Sequence, residues 1–375
     1  MDFTYSEEQQ MIADSLRRFM DSAYTFGQRR KRSRQENAFD PAIWSALAEM
    51  GVLGLTVAAE HGGFGEGPES RMVVQRELGR ALVLEPVIPS AVIAAAIIAR
   101  HGSAAQQQRW LGDIASGEAI VGVACHEPLS RYRLDHVQAT ARRGENGYVL
   151  SGRKSLVWHG EVAHALLATA RLEGTGDVGL FVVPRNAAGV SVTGYPTMDG
   201  LRAADVVLDG VLVDADARVG NSGEALSALQ HGLDHGLAAL CAEAAGAMER
   251  LIEITTDYLR TRRQFGQPLG AFQALQHRMA DMLVQKELAL SMAYVAAQAL
   301  DEPDAARRTR MLSAAKVTVA RAGRFVGQQA VQLHGGMGMT DELEVGDYFK
   351  RLTMFDPLFG DSDYHMARYC DAMAS

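Results

Sequence analysis

Cysteine is scarce: three in 375 residues, at positions 125, 241 and 370, with no CxxC pair. That spacing excludes a disulfide framework and a cysteine-zinc site, and it fits a reducing compartment. Positive charge is not in excess either. The 37 Lys and Arg are outnumbered by 45 Asp and Glu, for a net charge of −8, which excludes a generally basic nucleic-acid binder. No apolar run is long enough to cross a bilayer. The most apolar stretch, Val87 to Ala99, contains Pro89 and Ser90, stops at Arg100 and reads as a buried helix. Met1 to Gln10 is polar and acidic, unlike a secretory signal. P-loop, GxSxG and HExxH patterns are missing, and neither repeats nor low-complexity tracts occur. What is left is a globular, cytoplasmic protein with 47% hydrophobic and 22% charged residues, long enough for two or three packed domains.

What is present falls into three zones. Residues 1–118 are helical in pattern: Ile12, Leu16 and Phe19 recur at helical spacing, as do Ile43, Leu47 and Met50, and Asp40-Pro41 reads as an N-cap with proline at the first helical position. Residues 119–220 carry short β-rich runs at 137–141, 148–151, 165–170, 179–183, 190–192 and 206–213, punctuated by turn residues and without intervening helices. That order predicts an antiparallel β domain rather than a Rossmann sheet. Residues 221–375 return to long amphipathic helices, over about 226–262, 272–299 and 305–333, which predicts a helical bundle.

Most charged clusters have plain readings. The run Arg29-Arg30-Lys31-Arg32-Ser33-Arg34 lacks interleaved aromatics and reads as a solvated face. His231 and His235 stand four apart on a helix, a spacing metals use, but with no evident third ligand. Two other segments carry more. In Arg262-Arg263-Gln264-Phe265-Gly266, an apolar helix ends in a basic turn before a second helix restarts near Phe272. Arginine at such a turn suits a phosphate, and Phe265 offers a stacking face. In Gln332-Leu333-His334-Gly335-Gly336-Met337-Gly338, glycines follow a helix and either cap it or admit a ligand close to the backbone.

Taken together and in this order, the RxQFG and QLHGGMG segments resemble those of the flavin-dependent acyl-CoA dehydrogenases. The resemblance runs over nearly the whole chain. It includes Phe3 to Gln9, the loop Glu60-His61-Gly62-Gly63-Phe64-Gly65, and Cys125-His126-Glu127-Pro128 at the place of a TEP motif. Tyr348-Phe349-Lys350-Arg351-Leu352-Thr353 with Phe359-Gly360-Asp361 is similar to the small subunits of pimeloyl-CoA dehydrogenase and related heteromeric enzymes. The resemblance implies an α+β fold: an N-terminal helical domain, a central antiparallel β domain and a C-terminal four-helix bundle that assembles as a tetramer. It implies α,β-dehydrogenation of an acyl-CoA with FAD, electrons leaving to an electron-transferring flavoprotein. It also implies that Arg262, Gln264, Phe265, Gln332, Gly335 and Gly336 hold the ADP end of a neighbouring chain's FAD.

Other positions depart from the family pattern. The triplet that is GSD in relatives falls on Arg131-Tyr132-Arg133, and the KxWIT strand reads Lys154-Ser155-Leu156-Val157-Trp158. The two positions that hold a catalytic glutamate in relatives are Phe359 and Gly236, and the arginine after the second is Leu237. No catalytic base is therefore assigned, and the expectation is an accessory subunit that completes the ADP pocket of a catalytic one. Two other readings stand beside it. One is a self-sufficient enzyme with its base relocated to Asp234, Glu243, Asp356, Asp361 or Asp363. The other is a flavin-free scaffold or regulatory protein on the same fold. The resemblance leaves the acyl group open between dicarboxylyl-CoA and steroid side-chain thioesters.

Overall fold

A computed structural model describes residues 5–374; Phe3 and Thr4 of the N-terminal match lie outside them. By packing, the chain divides into two compact units. One comprises residues up to 30, 68–83 and 237 onward; the other comprises 31–67 and 84–236.

The helices begin with α1 (Glu7–Ala23), α2 (Phe26–Ser33), α3 (Pro41–Glu49) and α4 (Pro68–Ala81). Ser6 and Gln9 form a reciprocal capping box at the start of α1, and Asp40 accepts from Ala42 N ahead of Pro41, as its sequence predicts. A π-helical segment, Val87–Ala94, is buried throughout and runs into α5 (Ala95–His101). It bears out the buried-helix reading of that apolar stretch. α6 (Ala104–Ser116) closes the N-terminal helical region.

The sheet of the second unit contains β1 (Val121–Ala124), β2 (Thr140–Arg143), β3 (Gly147–Trp158), β4 (Ala165–Leu172), β5 (Val178–Pro184), β6 (Val190–Pro196), β7 (Arg202–Asp214) and β8 (Arg218–Val219). Its order is β6-β7-β3-β2-β4-β5-β8, with β1 on β4. The pairings are antiparallel except those of β4 with β1 and with β2, so the sheet is mixed. The reason is in β4 itself, Ala-Leu-Leu-Ala-Thr-Ala-Arg-Leu, an apolar run without alternation that is buried on both faces, as parallel pairing demands. The strand expected at 137–141 starts only at Thr140, because the peptide N–H groups of Gln138 and Ala139 are taken by the Glu127 carboxylate.

The first unit is built on α7 (Ala225–Thr261), whose opening turns belong to the second unit, with α8 (Gln273–Ala299), α9 (Ala305–His334), α10 (Val345–Phe355) and α11 (Ser362–Ala374). α4 crosses α7 at glycine: a Cβ on Gly79 would stand 2.0 Å from Glu243 O, and one on Gly246 1.9 Å from Arg76 O. Ion pairs flank this crossing, Arg76 with Glu249 and Arg80 with Glu253.

The basic run is not a solvated face throughout. Arg29 is buried and donates to Leu82 O at 2.8 Å, and Arg30 pairs with Asp347 at 3.1 Å. Aliphatic stems cover apolar surface while the heads find acceptors. His231 and His235 sit edge to face at 4.6 Å, yet no cluster of three metal-ligating side chains occurs among the described residues. No described helix is long and apolar enough to cross a membrane.

Candidate functional site

The first cluster is the corner between α7 and α8. Beyond Thr261, the pairs Arg263–Gln264 (β9) and Gln267–Pro268 (β10) form a two-residue hairpin around Phe265 and Gly266. Both loop residues are left-handed, with φ of 53° and 82°, the geometry whose twist suits a tight hairpin. Glycine adopts it freely, whereas phenylalanine does so at a cost of about 1–2 kcal/mol. Leu269 N bonds Arg262 O at 2.8 Å and closes the turn. Phe265 is 88% exposed, its ring meeting Phe272 edge to face at 6.1 Å. Arg262 and Gln264 are exposed beside it.

The second cluster follows α9. Tyr258, one turn before Arg262, stacks on His334 with ring centroids 4.3 Å apart and donates to its carbonyl. This contact sets the corner beside the glycine segment. Burial holds the His334 imidazole below its ordinary pKa, so it is neutral and donates from Nδ1 to Ala330 O at 2.8 Å. Gly335 then takes φ 60°, ψ −139°, a conformation open in practice to glycine. Gly335 and Gly336 are exposed, and a Cβ at either would meet open space. Gln332 is exposed in the preceding turn. The first cluster thus exposes a guanidinium, a carboxamide and an aromatic ring, and the second a carboxamide and a bare backbone. That donor set fits a diphosphate and the group attached to it.

The second unit holds the loops expected around a flavin ring. Glu127 and Lys154 form a buried ion pair at 2.6 Å, with side-chain exposures of 2% and 0%. Lys154 also donates to Thr169 Oγ1 at 2.9 Å. Burial opposes the Glu127 charge, but Lys154 and two peptide N–H groups outweigh it and hold the carboxyl below its usual range. Around this pair the backbone is strained: Leu129, Arg131, Leu156 and His159 all have positive φ. Leu156, at the family's tryptophan position, lies in a bulge between Lys154 and Val157 and is 60% exposed. Ser155 N bonds His126 O and ties the two loops together.

The loop between α10 and α11 carries Phe359, left-handed at φ 57°, then Gly360. Buried Lys316 donates to Asp356 O and Gly360 O at 2.8 and 2.5 Å. His365 Nε2 donates to Phe359 O at 3.0 Å, and its Nδ1 faces Ser313 Oγ. Burial lowers the Lys316 pKa to about 8 and, with Lys316 adding to it, that of His365 to about 4. Four of the five alternative carboxylates are engaged. Glu243 pairs with buried Arg351 at 2.5 Å, Asp356 with Arg324 at 3.0 Å, Asp234 accepts from Gln230, and Asp361 caps Tyr364 N. Asp363 is exposed in the first turn of α11. The reading of the sequence missed Lys316, His365 and the Tyr258–His334 stack; the lysine within the apolar run of α9 was the available signal.

A three-domain fold with helices at both ends and a mixed sheet between them, carrying these segments in this order, defines a class of flavin-dependent dehydrogenases. Models of the acyl-CoA dehydrogenase N-terminal, middle and C-terminal domains match residues 6–118, 122–211 and 224–373. The chain belongs to the acyl-CoA dehydrogenase family, and FAD is its cofactor. It is 31% identical to acyl-CoA dehydrogenase FadE27 of Mycobacterium tuberculosis over 93% of this chain and 92% of that one. Among solved structures it is similar to the ChsE4-ChsE5 complex of M. tuberculosis, at 29% identity and TM-score 0.88, covering 100% of this chain and 99% of that one. It is equally similar to a variant of the Tcur3481-Tcur3483 steroid ACAD, at 29% identity and TM-score 0.88 with 98% of each chain covered. Butyryl-CoA dehydrogenase of Megasphaera elsdenii shares the fold at TM-score 0.92 and 22% identity, covering 100% of both chains.

Proposed function

We propose that this chain is the accessory subunit of a heteromeric, cytoplasmic acyl-CoA dehydrogenase, lending its α7–α8 corner to the FAD of a catalytic partner. The observation that carries the reading is an asymmetry. The residues proposed for the ADP side, Arg262, Gln264, Phe265, Gln332, Gly335 and Gly336, are all present and exposed. At the positions that hold the base in relatives, this chain has phenylalanine and glycine, neither of which takes up a proton, and the nearby carboxylates Glu243 and Asp356 are bound in ion pairs. Bound FAD supplies hydride acceptance from the β-carbon of the acyl thioester. This chain's part is to neutralise and orient the diphosphate through Arg262 and the bare peptide groups at Gly335 and Gly336, while the partner's carboxylate takes the α proton. Similarity to the ChsE4-ChsE5 complex and to the Tcur3481-Tcur3483 steroid ACAD supports the reading, and the second favours a large polycyclic acyl group. An electron-transferring flavoprotein is the expected acceptor.

The test is a native mass spectrum of the complex isolated from its host through a tag on this chain. A mixed assembly with one FAD per two chains is expected. A homotetramer with one FAD per chain would overturn the reading in favour of a self-sufficient enzyme. An assembly free of both FAD and acyl-CoA would favour the scaffold.

A further inference from the structure

Each of the two exposed clusters is fixed within itself. At the end of α7, Tyr258 O accepts from Arg262 N at 2.8 Å and Arg262 O accepts from Leu269 N at 2.8 Å, so main-chain bonds carry the hairpin on the last turn of the helix. At the end of α9, Gly335 N donates to Gln332 O. Gly338 then folds back so closely that a Cβ there would stand 2.6 Å from Val331 O and 3.1 Å from His334 Cβ. A pair of rings joins the two clusters. Tyr258 and His334 have centroids 4.3 Å apart and planes 29° from parallel, and the phenol donates to the His334 carbonyl at 3.3 Å.

The imidazole is suited to this contact and to little else. His334 is 2% exposed, and its Nδ1 bond to Ala330 O fixes the plane of the ring. Nε2 is buried with no hydrogen-bond partner among the described residues. A buried acceptor left unpaired is destabilising, so hydrogen bonding at Nε2 does not account for a histidine here, whereas a flat ring of fixed plane accounts for the stack. Position in the chain gives the stack its effect. Arg262 stands four residues beyond Tyr258, about 6 Å along the helix axis, and Gly335 follows His334 directly. A shift between the rings is therefore a shift between the arginine turn and the bare peptide groups.

Resting on the accessory reading above, we infer that Tyr258 and His334 are positioning residues for the ADP end of the cofactor, their stack setting the spacing between Arg262 and the peptide groups at Gly335 and Gly336. They act through those groups rather than by contact with the cofactor. Binding that depends on the stack is binding of the adenosine diphosphate half, and the flavin ring with its first phosphate is indifferent to it.

The experiment uses the tagged, full-length complex stripped of flavin, with Tyr258→Leu, His334→Leu, Tyr258→Phe or Arg262→Ala in this chain. Circular dichroism and native mass spectrometry check each complex for unchanged fold and assembly. FAD and FMN, which lacks the AMP half, are titrated separately and binding is read from flavin fluorescence. Tyr258→Leu and His334→Leu fill much of the space but abolish the stack; each is expected to weaken FAD tenfold or more and to leave FMN within twofold of the parent complex. Tyr258→Phe keeps the ring and is expected to stay within threefold for both ligands. FAD affinity that is unchanged in the leucine variants while it falls in Arg262→Ala overturns the inference. An equal fall for FAD and FMN overturns it too, because general damage to the complex does not distinguish the two ligands. FAD affinity unchanged in Arg262→Ala overturns the accessory reading itself, and the inference with it.

Discussion

Leu129 and Arg131 are held left-handed on either side of Ser130, whose hydroxyl accepts from Glu127 N. Such conformations cost about 1–3 kcal/mol for a side chain bearing a Cβ. Leu129 is 93% exposed, so its side chain returns little by packing. Leu129→Gly is therefore expected to be neutral or stabilising by up to about 1 kcal/mol in chemical denaturation, the reverse of an ordinary leucine-to-glycine change. A loss larger than that would mean that the side chain has a contact of its own. His365 makes a prediction in pH. Its folded pKa, about 4, lies below the ordinary 6.5, so the unfolded chain binds the proton more readily. The stability tied to neutral His365 is complete above pH 6.5 and is lost as pH falls toward 4, on the order of 3 kcal/mol in full. In His365→Gln, the slope of stability against pH in that window should flatten. The residues proposed for the ADP end stood out through the resemblance of two segments taken together, since an arginine turn or a glycine-capped helix end by itself has an ordinary structural use. Lys316 and His365 were not, because what they hold are backbone carbonyls, which every sequence has.

Among the elements, the long helices were read from periodicity to within a residue or two: α7 to α9 span 225–261, 273–299 and 305–334. Strand starts were less legible, since side chains of distant elements compete for the same peptide groups, as Glu127 does at residues 138 and 139. The ion pair that joins these segments yields a prediction. Lys154→Met would leave the Glu127 carboxylate buried against two peptide N–H groups with its cationic partner gone, a loss of about 3–5 kcal/mol. Equilibrium urea unfolding measures it, and a loss under 1 kcal/mol would show the pair to be solvated. At the corner, the hairpin loop needs a left-handed residue after Phe265. Gly266→Val should distort the loop, and flavin absorbance of the purified complex should fall while α7 and α8 keep their helicity by circular dichroism.

At the scale of the whole molecule, the fold and the cofactor class were legible in the linear order of a helical, a β-rich and a helical zone with two flavin-associated segments in the last. The sequence alone determined the helices, because burial with a period near 3.6 is written directly in residue order, and it determined the side chain that stands at each position, because that is residue identity. Only the tertiary structure decided that the basic run is partly buried, that β4 takes two parallel neighbours, that Glu243 and Asp356 are already paired, and that Tyr258 on His334 sets the corner beside the glycine segment. These depend on which distant atoms compete for the same charge, peptide group or surface, and such competition is settled in three dimensions rather than along the chain.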